Sequence, residues 1–228
     1  MGFSYAPAPA TTQVRTGVER ATLARRTYGL VFLSVLVTMG GVAFAGTQPA
    51  LQQAVIYHPF LSFIAVIAPL WLARANARSF PRNIAFTLLF TFVEGVWLAP
   101  FLYFMEKSAP GAVGQAGILT FSAFGALSLY ALFSRRDFSA WGSFLWTGVI
   151  VLLVGLVINM FVQSAAADLW LSGIGVMIFS GLLVFDTWRF MRSGEFGPDD
   201  YVVAAVRIYL DLLNMFVFIL SLLGGRRR

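Results

Sequence analysis

Cysteine is absent from the chain, and lysine and histidine each occur once, as Lys107 and His58. Without cysteine there is no disulfide framework, no thiolate metal site and no cysteine nucleophile. A retinal protein is excluded as well, because its Schiff base needs a lysine inside a helix and Lys107 falls between apolar runs. Also missing are a Gly-rich phosphate loop ending in lysine, a His-Glu-x-x-His and a Gly-x-Ser-x-Gly, so three common enzyme chemistries lose their usual carriers. No cofactor is expected. Charge of either sign is scarce, at 11% of residues. The net charge of +6 comes from fifteen arginines dispersed among apolar runs. Such placement suits membrane orientation rather than nucleic-acid binding.

What the chain has in abundance is apolar length. Of its 228 residues 59% are hydrophobic and 16% aromatic, with a mean hydropathy of +0.80, the composition of an integral membrane protein. A span needs about 20 mostly apolar residues. Seven runs answer to that, at about 28–46, 57–73, 84–104, 115–133, 142–163, 169–188 and 201–223. The expectation is an all-α polytopic membrane protein, with a flexible basic tail over 1–26 and one seven-helix transmembrane domain over 27–228. The first run is too long, and too far from the start, for the apolar core of a cleaved signal, which is about 7–15 residues. The second run is the shortest and contains Pro69, expected to kink it. Small residues (Gly40, Gly41 and Ala45; Gly173 and Gly175) would let helices approach closely. The six tryptophans read as interfacial anchors.

Arginine placement gives an orientation. Eleven lie in the tail and in the even-numbered gaps, the latter as Arg74, Arg78, Arg82, Arg135, Arg136, Arg189 and Arg192, which puts the N-terminus in the cytoplasm. Arg226, Arg227 and Arg228 pull against this, since seven crossings would leave them outside. Either the last segment is re-entrant or the earlier spans override the signal, and the second is preferred. An arginine-rich, lysine-poor, cysteine-free chain suggests a bacterium, and hence the bacterial cytoplasmic (inner) membrane.

The residues that invite a functional reading are acids inside apolar runs. A carboxylate at membrane depth costs roughly 2.5–3.5 kcal/mol on insertion scales, so it is read by default as functional. Asp186 and Asp211 flank one short polar loop, and Asp200, Ala204, Arg207, Asp211, Asn214 and Phe218 share one face of the last helix. That stripe must meet protein or water, either as helix-gluing polar contacts or as a pathway. The two aspartates are expected to face each other in the cytoplasmic half of the bundle and to titrate as a unit, with Arg207 holding Asp211 charged and Asp200 extending the helix on the loop side. Glu94, in the middle of the third run, has no local partner and is expected within reach of the stripe. Asn159 reads as a helix–helix hydrogen-bonding residue and His58 as a loop residue. An intramembrane aspartyl protease also uses two helix-borne aspartates, but its Gly-x-Gly-Asp motif is missing, Tyr209-Leu210-Asp211 standing instead. No enzymatic activity is therefore expected.

Phe185-Asp186-Thr187, then Asp199-Asp200-Tyr201-Val202-x-Ala204-Ala205, then Tyr209-Leu210-Asp211-Leu212-Leu213-Asn214-Met215-Phe216 resemble, in order and spacing, the signature of the transmembrane Bax inhibitor motif family. The resemblance covers the chain after its tail, and departs from the family in Glu94 and the terminal arginines. It implies a seventh helix surrounded by the other six and a pH-sensitive calcium leak controlled by two aspartates. By motif position these correspond to Asp186 and Asp211, which would touch calcium only transiently, with Arg207, Asn214, Glu94 and Asp200 supporting. In eukaryotes the family suppresses cell death and lowers stored calcium; some bacterial relatives are linked to regulation of a membrane protease. Two functions thus compete: a leak for calcium or other cations, and a non-conducting regulator of a protease or stress partner in the bilayer. The inward ionisable stripe favours the first.

Overall fold

In a bilayer, backbone polar groups that face lipid must be paired within their own segment, so each apolar run folds as a helix. The computed structural model describes residues 17–225. Expectations for residues 1–16 and for Arg226, Arg227 and Arg228 lie outside the described residues. Eight α-helices follow in order: α1 (Gly17–Gly46), α2 (Pro49–Tyr57), α3 (Pro59–Ala75), α4 (Arg82–Ser108), α5 (Ala112–Phe133), α6 (Trp141–Val162), α7 (Ala165–Arg192) and α8 (Tyr201–Gly225). A single 3-10 turn, Pro198–Asp200, leads directly into α8.

Two expectations need correction. The flexible tail was drawn too long, because α1 already begins at Gly17. The sequence Val18-Glu19-Arg20-Ala21-Thr22-Leu23-Ala24-Arg25-Arg26 is rich in helix formers, and its Leu23 is fully buried in the core. The second run keeps Pro69 inside a continuous α3. It breaks at His58-Pro59 instead, where α2 and α3 meet at 102°. Proline disfavours the α conformation in the residue before it and starts the next helix without needing its own N–H.

Six helices are long and apolar enough to span a membrane, and the bent pair makes a seventh if taken together. The direction of the neighbours decides that it should be. Thr38 Oγ1 donates to the Thr91 carbonyl at 3.1 Å, a Cβ on Gly41 would lie 3.2 Å from the Val96 nitrogen, and Gly46 abuts Tyr103. Contacts that advance together along both chains make α1 and α4 parallel. The α2–α3 pair must therefore carry the chain back across between them, and the count of seven stands. The last segment does not turn back: α8 runs unbroken to Gly225.

The parallel α1–α4 contact rests on two glycines. A Cβ on Gly41 would lie 2.2 Å from the Phe92 carbonyl oxygen, and one on Gly95 would lie 2.1 Å from that of Thr38. Gly175 likewise leaves room for the Phe218 ring, whereas Gly40 and Gly173 face open space. Backbones thus touch where side chains are absent, the usual membrane solution to helix association.

α8 sits at the centre. Of its apolar window 56% is buried, against 17–39% in the other five long helices. It packs on α1, α4, α5 and α7, while α3 lies chiefly against α4 and α6 chiefly against α7. The seventh segment is thus wrapped by four helices, with the remaining two spans in an outer layer. Tyr209, 1% exposed, pins this arrangement: its hydroxyl meets Thr38 Oγ1 at 2.7 Å and its ring stands edge-on to Phe90.

Candidate functional site

The α7–α8 interface is among the most extensive in the molecule, and it carries both aspartates. Asp186 lies in α7 and Asp211 in α8, 3% and 5% exposed, between apolar neighbours such as Leu183, Phe190, Ile208 and Leu212. Asp211 feels the charges of Asp186 and Arg207, and Asp186 those of Arg207 and Arg189. Arg207 Nη1 lies 3.6 Å from Asp186 Oδ1, an ion pair just too long for a hydrogen bond. Its guanidinium also sits 5.7 Å from the centre of the Trp146 ring of α6, so one side chain links three helices.

The stripe therefore works differently from its reading in sequence. Arg207 and Asp211 are four apart on one helix, yet Arg207 forms its ion pair with Asp186 across the interface. A long side chain in a helix leans toward the preceding turn, which carries Arg207 away from Asp211. Three buried atoms of this cluster, Asp186 Oδ1, Arg207 Nη1 and Asp211 Oδ2, have no hydrogen-bond partner among the described residues. Asp186 Oδ1 and Arg207 Nη1 are the two ends of the ion pair, so the unmet atom is Asp211 Oδ2, and an unmet buried polar atom is costly and uncommon.

The other candidates separate from the pair. Asp200 closes the loop end: its Oδ1 accepts from Arg78 Nε and Nη2 at 3.1 and 2.8 Å, and its Oδ2 from the Gly197 N–H at 2.8 Å. Arg78, read as an orientation signal, thus also ties the α3–α4 loop to the start of α8. Asn214 donates to the Leu210 carbonyl at 2.7 Å. Asn159 bonds Asp168 and Ser164 across the α6–α7 connection. Glu94 is 9% exposed and acts electrostatically on Tyr209 of α8, but does not meet Arg207.

Glu94 and Asn214 instead line a cavity of about 800 Å³. Its walls run from Glu94 and Leu210 at mid-bundle to Ser108, Asp168 and Gly225, where α4 and α8 end and α7 begins. Neither Asp186 nor Asp211 lines it. Trp97, an anchor by its sequence position, is part of the wall. Trp146, an anchor by its sequence position, instead faces Arg207, and Tyr209 carried no role of its own in the sequence, its signal being its place in Tyr209-Leu210-Asp211, two residues from an acid.

The aspartate pair does not suit a resident calcium ion. Calcium takes about 6–8 oxygens, and among the described residues no group of three His, Cys, Asp or Glu side chains comes together. The two carboxylates stand beside a guanidinium. They also differ from a protease dyad, in which two carboxyls alone share a proton.

The profile of the family described as "Inhibitor of apoptosis-promoting Bax1" matches residues 20–228. An uncharacterized membrane protein of Vibrio cholerae is 32% identical over 219 residues, 94% of each chain. The Golgi anti-apoptotic protein of Vaccinia virus (strain Lister) is 30% identical over 224 residues, 97% of this chain and 91% of the viral one. Bax inhibitor 1 of Schizosaccharomyces pombe is 29% identical over 211 residues, covering 90% and 77%. With its all-helical membrane fold, its central last helix and a match over nearly its whole length, the chain belongs to the Bax inhibitor family.

Proposed function

We propose that the protein is a pH-sensitive leak for calcium or other cations, gated by Asp186, Asp211 and Arg207. The observation that carries this reading is the buried cluster itself, two carboxylates at 3% and 5% exposure beside one guanidinium, with Asp211 Oδ2 left without a hydrogen-bond partner among the described residues. Two carboxylates and one guanidinium sum to one negative charge when all are ionised, and to zero once a single proton is bound. Proton occupancy therefore decides whether the core attracts a cation or is indifferent to one. The cavity supplies the approach from one side, with Glu94 and Asn214 in its wall. The Asp200–Arg78 bridge secures the other end. By the arginine rule the loop with Arg189 and Arg192 and the N-terminus are cytoplasmic, and the composition together with bacterial relatives suits a bacterial inner membrane. Calcium efflux from liposomes holding the purified protein, followed across a pH series, tests the reading; a flux no greater than that of empty liposomes at every pH would end it.

A second reading is a non-conducting regulator that binds a membrane protease or stress partner; the similarity to the viral Golgi anti-apoptotic protein favours a regulatory role. Under it the ionisable cluster would serve only to hold α7 to α8.

A further inference from the structure

We propose that the cavity between α4, α6, α7 and α8 is a binding site for a hydrophobic organic cation. Glu94 would take the charge at the inner end, and the aromatic walls would take the body. The cavity is the one given to the leak as its approach, but binding there does not require that any ion pass on to the aspartates, neither of which lines it. Glu94 is only 9% exposed, it lines the cavity, and no hydrogen bond or ion pair reaches it among the described residues. The other carboxylate in the wall, Asp168, stands at the opposite end and is hydrogen-bonded to Asn159. No arginine, lysine or histidine lines the space. The inner end thus presents one carboxyl with no cation on the protein to balance its charge, so that an arriving cation is what favours its ionised form.

The rest of the wall selects among cations. Trp97, Phe101, Phe179 and Phe218 line it, and the last two stack at 5.7 Å and 21° into a flat aromatic panel. Aromatic faces attract cations, but a small hydrated ion would exchange its shell for apolar surface and one carboxylate. Calcium, wanting about 6–8 oxygens, is poorly served there. A bulky, weakly hydrated cation brings its own apolar surface and gains by burying it. A neutral hydrophobe would leave Glu94 buried and unpaired, and an anion would be repelled. A volume of about 800 Å³ lies within the range of small-molecule sites, roughly 300–1,000 Å³.

The test is titration of the full chain in phosphatidylcholine nanodiscs with tetraphenylphosphonium, read by tryptophan fluorescence and calorimetry, with empty nanodiscs subtracted and tetraphenylborate as the anionic control. Saturable binding of the cation alone is expected. Glu94→Gln, close to the same shape, should weaken it about tenfold or more, the loss of one charge-assisted contact. Val217→Phe, which narrows the cavity and leaves the carboxylate, should also weaken it, and keeps the idea testable if the first variant does not fold. An affinity unmoved by Glu94→Gln in a folded protein, equal binding of tetraphenylborate, no loss in Val217→Phe, or no saturable binding in the parent protein would each overturn the proposal.

Discussion

Arg207 reaches Asp186 rather than Asp211 because a helical side chain leans toward its N-terminal turn, and the α7–α8 contact places Asp186 there. Spacing along α8 was enough to pick out the residues of the stripe, but not their partners, since a periodic pattern fixes a face and not what lies opposite. The consequence is a coupled pair. Arg207→Ala leaves Asp186 buried at 3% exposure without its cation, and should cost about 3–5 kcal/mol. Adding Asp186→Asn removes the stranded charge, so the double variant should recover much of that loss. Thermal unfolding of the four proteins in detergent measures it; additive single effects would mean the two groups do not interact. Arg207→Lys should fall short of the parent, since a compact ammonium loses the planar face turned to Trp146.

At the scale of elements, the spans were legible because about 20 apolar residues can do little else in a bilayer. Their ends were not, and neither was the break at His58-Pro59. That proline lies outside the apolar centre of its run, where hydropathy gives no warning, while Pro69 inside the run is absorbed in a continuous α3. Small residues carried a partial signal. Gly41 and Gly175 stand at close approaches while Gly40 and Gly173 face open space; residues one or two apart lie on different faces of a helix, but only the fold decides which face meets a neighbour. Gly41→Val and Gly95→Val should each force α1 from α4, because the new Cβ would meet a backbone carbonyl at 2.2 and 2.1 Å. A cost of about 1–3 kcal/mol or more is expected for each, against almost none for Gly40→Val. Equal melting temperatures for the Gly40 and Gly41 variants would show that the α1–α4 contact is looser than described.

Across the whole molecule, centrality of α8 was legible through the family resemblance and through its polar stripe, which must meet protein or water, whereas hydropathy alone does not tell an inner helix from an outer one. The cavity was not legible at all: its wall draws on residues from α2, α3, α4, α6, α7 and α8, and only the fold assembles them. Orientation is open to a direct check that the absence of cysteine makes simple, as no native thiol needs removing. Thr47→Cys, between α1 and α2, should react with a membrane-impermeant thiol reagent added outside intact cells. Glu195→Cys, in the α7–α8 loop, should react only after the membrane is opened. The reverse pattern would invert the orientation drawn from the arginines.

The central claim is that proton occupancy of Asp186 and Asp211 controls cation passage, and calcium flux through the purified protein in liposomes tests it most directly when wild type, Asp186→Asn, Asp211→Asn and the double variant are compared across one pH series. Each substitution keeps the side chain's shape and removes its titration. The account predicts a wild-type flux that changes with pH, and a flattened profile in each variant, with bundles that still fold. A folded double variant whose flux follows the wild-type pH profile would contradict it.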